Sequence, residues 1–420
     1  MRQLFTKILL HKQFQKLGIY GFGQCFNLVT PLLVMPYIIS VCGIDNYGKI
    51  SIGMAISFFL MVFIDYGSDI NGVKEIAINR ENKSNLERVF VTTFIAKFIL
   101  LVLTLIASSL LFLFIPFFQS EKEMFFLGLP ILIGQFLNPT WFLQGLENFK
   151  WITVLTIFSK IVYVVGIFAF INVEQDYIFI NLFWGIGTII AHGSIFIFIL
   201  KTYKFSFKNN YRKDTTILLK NNFSLFTSQI FVSLQMYAPL MLIGFLGNNT
   251  MAGQFKIIDQ IIVIFKTYIL LFFNYMYPRV CYLLDKNLRE ALKFWKTYNG
   301  LNLAFISLSM MLIYVFSYDV VDFFNPIEKE EITNLLRVAV FIPFLQGITV
   351  PLKQLILGIN KQKQYINITI FLTVVCLLLF LLFIPGYKVM GVLSILIISE
   401  IAIIALFYYN IKNEIFSSQV

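Results

Sequence analysis

Charge is the scarcest feature of this chain. Only 13% of its residues are Asp, Glu, Lys or Arg, against roughly 25% in an average soluble domain. Histidine is limited to two residues, and the four cysteines (Cys25, Cys42, Cys281 and Cys376) are scattered without the close spacing of a metal or redox motif. They read as small apolar packing residues. With so few histidines, no Ser-His-Asp set emerges, and there is no metal-ligand cluster or Gly-rich phosphate loop, so no cofactor is implied. What fills the chain instead is apolar. Of its 420 residues, 58% are hydrophobic, the mean hydropathy is +0.80, and apolar stretches recur from end to end. That pattern excludes a soluble domain with one anchor and predicts an all-α integral membrane protein. The amino end is basic (Arg2, Lys7, Lys12, Lys16), but a full-length span follows it rather than the short apolar core of a cleaved signal peptide.

A span needs about 20 mainly apolar residues to cross roughly 30 Å of hydrocarbon. That rule places twelve helices, near 18–42, 49–66, 89–114, 124–144, 151–171, 177–200, 216–246, 252–278, 297–317, 332–358, 362–384 and 388–410. The first two are parted by a turn signal, Gly43-Ile44-Asp45-Asn46, and the fourth and fifth by the short polar stretch 144–150. Basic residues supply an independent check. Of the 33 Lys and Arg, 23 fall on the amino-terminal side and every second loop. The alternate loops hold only Lys49, Lys122, Lys329 and Lys388. That asymmetry matches the positive-inside rule for twelve helices with both termini in the cytoplasm. The net charge of +11 therefore reads as an orientation signal, not as a nucleic-acid surface.

The chain also looks duplicated. Pro36, Gly48, Pro139, Gly145 and Lys150 have counterparts in Pro239, Gly253, Pro351, Gly358 and Lys363, offset by 203 to 213 residues. Six helices per repeat give halves of the same orientation, related by a pseudo-two-fold axis along the membrane normal. The expected organisation is two six-helix bundles, 1–212 and 213–420, joined through the basic 201–221 segment, with a substrate site between them near the midplane.

Charges inside the spans are the candidate functional groups, since each opposes insertion by roughly 2.5–3.5 kcal/mol at the centre of a lone helix. Six are cationic: Lys97, Lys160, Lys256, Lys266, Arg337 and Lys353. Three are acidic: Asp65, Asp259 and Glu400. Arg337, Lys256 and Lys353 lie near helix ends, where a long side chain can reach the headgroups, whereas Lys160 and Lys266 lie close to mid-membrane. Lys256, Asp259 and Lys266 share one helical stripe, readable as an ion pair or as a cavity lining. His192 reads as a hydrogen-bonded packing residue. Gln24, Asn27, Gln229 and Gln235 add polarity to the first and seventh spans. A net-cationic interior suits an anionic substrate such as a phosphate or diphosphate. Lys160, Lys266, Lys256, Lys97 and Arg337 are the candidates to bind it.

Several local runs carry a family resemblance. Pro36-Tyr37-Ile38 with Gly43 and Tyr47-Gly48, and Asp65-Tyr66-Gly67 with Lys74-Glu75-Ile76-Ala77 and Arg80, resemble the first hairpin of the Wzx-type polysaccharide-transport flippases. Trp141-Phe142-Leu143-Gln144-Gly145-Leu146-Glu147 resembles that family's run at the end of the fourth helix, and Tyr277-Pro278-Arg279 its motif closing the eighth. Asp69 and Lys74 depart from the pattern, where an apolar residue and an arginine are more usual. The resemblance implies the MATE-like fold of the multidrug/oligosaccharidyl-lipid/polysaccharide exporter superfamily, in the bacterial cytoplasmic membrane. It implies alternating-access transfer of undecaprenyl-diphosphate-linked O-antigen or capsule repeat units to the outer leaflet, amid membrane lipids. A polysaccharide polymerase and a chain-length regulator are the implied partners. Proton or sodium coupling would fall to Asp259, Asp65 or Glu400, on position within the spans.

Three rivals remain at this level. A membrane polymerase or ligase needs catalytic groups on a long outer loop, and the longest, near 318–331, has no histidine. A drug antiporter of the same superfamily favours an acidic interior, and a peptidoglycan-precursor flippase usually carries more helices.

The charge alternation predicts topology. A single cysteine at position 210, in a cysteine-free background, should resist an impermeant maleimide added outside intact cells and label after permeabilisation. Labelling in intact cells would overturn the helix count.

Overall fold

The structure is a computed structural model and describes residues 12–207, 211–359 and 361–415. Arg2, Lys7 and position 210 lie outside the described residues, as do the side chains of Lys12, Lys16 and Pro278. Among the described residues the chain is almost entirely helical, with ten helical stretches long and apolar enough to cross a membrane. Two of them are double. The stretch Lys12–Asp65 has 54 residues, about 80 Å at 1.5 Å per residue, far more than one crossing needs. Its helical geometry breaks at Gly43 (φ 78°, ψ 165°), leaving α1 (12–42) and α2 (44–65). The stretch Gln362–Ile415 breaks in the same way at Lys388 (φ 53°), into α11 (362–387) and α12 (389–415). Between them lie α3 (Lys83–Phe114), α4 (Lys122–Gly145), α5 (Phe149–Phe170), α6 (Ile180–Tyr203), α7 (Arg212–Leu246), α8 (Asn249–Lys286), α9 (Leu288–Val315) and α10 (Lys329–Gly358). The described chain thus contains the twelve expected helices.

Their details differ from the sequence expectation where proline and glycine act. α4 is three short pieces, Lys122–Gly128, Pro130–Phe136 and Thr140–Gly145. Pro130 starts the second and Pro139 precedes the third; a proline inside a helix removes a backbone hydrogen bond and clashes with the preceding turn. α10 breaks at Val340, three residues before Pro343. The expected gap at 385–387 is instead helical around Pro385, and the reversal comes at Lys388. The 67–88 segment holds a π-helix, Ser68–Gly72, and a helix, Val73–Asn79. The 318–331 loop contains most of a short helix, Ser317–Asp322.

Contacts divide the chain into two compact units, Met1–Tyr237 and Ala238–Val420. The division falls inside α7, beyond the 212/213 boundary drawn from the sequence. Asn222 and Gln229 in the first half of α7 bond to Tyr66, Gly67, Asp69 and Asn71 of the first unit.

Within the first unit, polar contacts sort the connections into two ends. Lys49 lies 2.8 Å from Glu121, Asn46 donates to Glu174, and Tyr177 donates to Glu121. The α1–α2, α3–α4 and α5–α6 connections therefore meet at one end. At the other, Arg80 pairs with Glu147, Arg88 with Asp214, and the Ser206 amide donates to Glu87. This is the alternation that the charge count requires. An aromatic knot of Phe90, Phe94, Trp141, Phe142 and Phe205 forms the core at that second end. Along α3, by contrast, Phe98, Leu103, Ile106 and Phe114 are exposed, the apolar exterior that hydrocarbon rather than water covers.

α6 packs closely because it is small where it touches neighbours. A Cβ on Gly187 would stand 2.5 Å from the Ser159 carbonyl oxygen of α5, and one on Gly185 would stand 2.8 Å from backbone of Pro130. Small residues allow such backbone approach between membrane helices. Gly187→Ala should lower the thermal midpoint of the detergent-purified protein, by the equivalent of about 1–3 kcal/mol of overpacking. Gly300→Ala, which meets nothing within 4 Å, should leave the midpoint unchanged or raise it.

Candidate functional site

The intramembrane charges fall into two groups, one in each unit. In the first, Lys97 of α3 is buried at 1% exposure, and its Nζ lies 3.0 Å from Asp65 Oδ1 at the end of α2. Asp65 also accepts a hydrogen bond from Ser68 Oγ. Lys97 and Asp65, offered separately as substrate and ion-coupling candidates, are thus an ion pair. Lys160 of α5 is buried at 5% exposure and differs in kind. No carboxylate lies within ion-pair distance of it among the described residues. Its Nζ sits 3.1 Å from the centroid of Trp184, whose ring also packs against Phe58 and Tyr163. His192 Nδ1 is 2.8 Å from the Gly134 carbonyl oxygen. It therefore donates there when neutral, as a packing histidine would.

In the second unit, Asp259 of α8 stands between two ammonium groups. Lys256 Nζ is 3.1 Å from one of its oxygens and Lys266 Nζ 3.9 Å from the other. Offsets of three and seven residues keep all three on one face, so the helical periodicity alone assembles the trio. All three side chains keep between 24% and 35% exposure. Glu400 of α12 accepts from Gln346 Nε2 (2.9 Å) and Thr349 Oγ1 (2.7 Å), both on α10. Glu400 also lies within electrostatic reach of Lys266. Arg337 is apart from these: its Nε donates to Ser317 Oγ, and its guanidinium lies 5.8 Å from the Tyr314 ring. Lys353 packs between Phe273 and Tyr365. The arrangement offers ammonium groups and carboxylates able to bind charged groups electrostatically.

Two features escaped the sequence reading. The first is the turn after α2, where Tyr66 (φ 46°) and Gly67 (φ 77°) adopt left-handed geometry before the π-helix. Such backbone persists where its surroundings over-determine it. Here Gln229 accepts from the Gly67 amide at 3.1 Å and donates to Asp69 at 2.6 Å. Asn222 donates to the Tyr66 carbonyl and accepts from Asn71. Burial, reinforced by the nearby Asp65, raises the Asp69 carboxyl above the usual carboxylate range, while the Gln229 bond opposes the shift. The departure of Asp69 from the family pattern was visible; its partner 160 residues away was not. The second concerns Trp141–Gly145. Trp141, Phe142 and Leu143 are core, a Cβ on Gly72 would meet the Trp141 ring at 2.8 Å, and one on Gly145 would meet Ile76 at 2.6 Å. The most specific sequence run is therefore a packing device that seats the 68–79 segment.

Comparison with known proteins agrees with this architecture. The family described as polysaccharide biosynthesis protein matches residues 14–282. A protein of Escherichia coli strain K12 named "Putative O-antigen transporter" is 24% identical over 93% of this chain and 94% of its own length. One of Shigella dysenteriae with the same name is 22% identical over 56% and 59%. Among solved structures, the lipid II flippase MurJ in an inward closed conformation superposes with a TM-score of 0.74 at 17% identity, covering 94% of this chain and 87% of that one. An inward-facing multidrug resistance transporter of the MATE family, in the MOP superfamily, gives 0.72 at 15% identity, covering 93% and 96%. These two likenesses establish the fold: all-α, multi-pass and MATE-like, as expected from the sequence.

The Lys97–Asp65 pair generates a stability test. Removing one partner of a buried pair strands the other, at roughly 3–5 kcal/mol. Lys97→Met alone should therefore sharply reduce the folded fraction recovered from membranes, and Lys97→Met with Asp65→Asn should recover most of it. Fluorescence-detected size-exclusion after heating measures both. A Lys97→Met protein as stable as the parent would show that the pair carries no such load.

Proposed function

Because the chain belongs to the polysaccharide biosynthesis protein family, we propose that it is a lipid-linked oligosaccharide flippase. It transfers undecaprenyl-diphosphate-linked O-antigen or capsule repeat units between the leaflets of a bacterial cytoplasmic membrane by alternating access. The names of its E. coli and Shigella relatives and the flippase among its structural neighbours support this reading. It assigns transport rather than catalysis to the intramembrane charges, and it places both termini in the cytoplasm.

The observation that carries the mechanism is the sharing of Asp259 between Lys256 and Lys266. A carboxylate held by two ammonium groups can be displaced by a stronger anion. A diphosphate, with more oxygens and more charge, forms charge-assisted hydrogen bonds of that kind. Once displaced, Asp259 becomes available to a proton or sodium ion. Binding of substrate and of ion are then linked through the same lysines, and the conformational equilibrium moves by their differential affinity for its two states. Lys160, held by an aromatic face instead of an acid, is the second anion-accepting group. Arg337 contributes charge, Lys97 stays paired with Asp65, and Asp65 and Glu400 are the reserve carboxylates.

Complementation of an O-antigen flippase deletion, scored by surface glycan, tests the reading. The wild-type chain should restore glycan in a strain making its cognate repeat unit. Lys266→Ala and Lys160→Ala should each lower export at least about tenfold with normal membrane levels, if each supplies one charge-assisted contact. Arginine at either position should restore part of it, since charge is retained while the geometry changes. In liposomes, Asp259→Asn should still bind substrate but lose the response of transport to an ion gradient. Full export by the double alanine variant would remove this site from the mechanism.

A further inference from the structure

Basic residues at the ends of the helices differ in whether a carboxylate holds them. In the first unit, Arg80 and Arg88 are each paired with a carboxylate, Glu147 and Asp214. In the second, the end of α8 and the start of α9, which meet at Asn287, carry Arg279, Lys286, Arg289, Lys293 and Lys296. None of the five has a carboxylate within 4 Å among the described residues, although Asp285 and Glu290 lie in the same stretch. Two of the five rest on an aromatic ring instead, Arg279 and Lys286 on either side of Tyr282, at 5.3 and 4.6 Å.

Lys353 joins this group. It lies five residues before the end of α10, and Trp295 of α9 donates its indole N–H to the carbonyl of Pro351, two residues before it. Its ammonium is half-buried between two rings from other helices, Phe273 of α8 at 5.3 Å and Tyr365 of α11 at 5.0 Å. Phe273 is stacked in turn on Tyr277. No carboxylate lies within 4 Å of the Lys353 ammonium among the described residues. Ring faces attract a cation but do not neutralise it, and a phosphate oxygen is a much stronger partner. At about 1.5 Å per residue, Lys353 sits within roughly 8 Å of its helix end, from where a long side chain can reach lipid headgroups. An isoprenoid-linked diphosphate carries its charge at the depth of the headgroups, so it meets this group before any mid-span lysine.

We propose that this end of the second unit is a capture site for the diphosphate of an isoprenoid-linked substrate. Lys353 is its inner contact, and the basic stretch 279–296, the end of α8 and the first turns of α9, is its electrostatic approach. The proposal rests on the flippase reading for the identity of the substrate, not for the existence of the site. Phosphate esters also reach this depth as phospholipid headgroups, and the experiment separates the two sources.

The full chain is placed in nanodiscs of phosphatidylcholine, and farnesyl diphosphate is titrated as the probe, with farnesol as the uncharged control. The expected result is saturable, salt-sensitive binding of the diphosphate and none of farnesol. Lys353→Gln should weaken binding about tenfold, the loss of one charge-assisted contact, and Lys353→Arg should keep most of it. Lys83→Gln removes one basic residue from the first unit and should stay within about twofold of the parent, since a surface charge off the site contributes little. Unchanged affinity in a folded Lys353→Gln protein overturns the proposal, as does an equal loss in Lys83→Gln, which would mean unspecific attraction. Discs doped with phosphatidylglycerol supply the second arm. If the anionic lipid displaces farnesyl diphosphate completely, the site is a headgroup site and the proposed occupant is wrong. Binding that behaves as expected in a protein that fails to restore surface glycan would leave the site standing and remove the flippase reading instead.

Discussion

Hydrocarbon offers no hydrogen bonds, and that constraint governs this molecule more than any single contact. A polar or charged group placed in it must find its partner within the protein. The solutions seen here are specific. Lys97 takes Asp65, and Lys256 and Lys266 divide Asp259. Glu400 receives an amide and a hydroxyl from α10, and His192 uses a carbonyl oxygen of α4. The serines and threonines follow the same rule locally, as Ser57, Thr267 and Thr373 donate back to the carbonyl four residues earlier.

The constraint also decides where the backbone is allowed to be irregular. The turn at Tyr66 and Gly67 and the π-helix after it leave amides and carbonyls outside a regular ladder, and α7 supplies the missing partners through Gln229 and Asn222. A strained segment fixed by side chains of another helix cannot rearrange without that helix moving. Tyr66 strengthens the tie by stacking on Phe226 of α7 at 4.4 Å. The left-handed turn thus joins the α2 hairpin to the helix in which the chain passes from one unit to the next.

How much of this was readable in advance depended on sequence distance. Helix number and alternation were legible because apolar runs and basic loops are local signals. The Gly43 reversal was legible for the same reason. The trio Lys256, Asp259 and Lys266 was legible because helical periodicity places its members together within one element. Pairings across elements were not. Nothing near Lys97 in the chain announces Asp65, 32 residues earlier, and nothing near Asp69 announces Gln229. Proline misled in both directions: Pro130 and Pro139 divide α4, whereas Pro385 is accommodated in α11 and the reversal comes at Lys388. A proline marks a site where a helix can break, and packing decides whether it does.

The partners also reorder the intramembrane cations in a way that depth in the span could not. Each of the six was a candidate because of the cost of burying it. Once the partners are known, that cost is met by two different means. A carboxylate cancels the charge it holds, so Lys97, tied to Asp65 behind 98–99% burial, contributes to stability and presents little field to a ligand. An aromatic face or a hydroxyl lowers the cost of burial while leaving the charge in place. Lys160 on Trp184, Lys353 between Phe273 and Tyr365, and Arg337 with Ser317 and Tyr314 are of this second kind. The trio around Asp259 lies between the two, since one carboxylate serves two ammonium groups. For a substrate that is itself anionic, the available charge is therefore carried by the residues with neutral partners, and they lie at different depths: Lys160 well inside α5, Arg337 and Lys353 toward opposite ends of α10. A cation with neutral partners can be engaged by an anion without a closed ion pair first being broken.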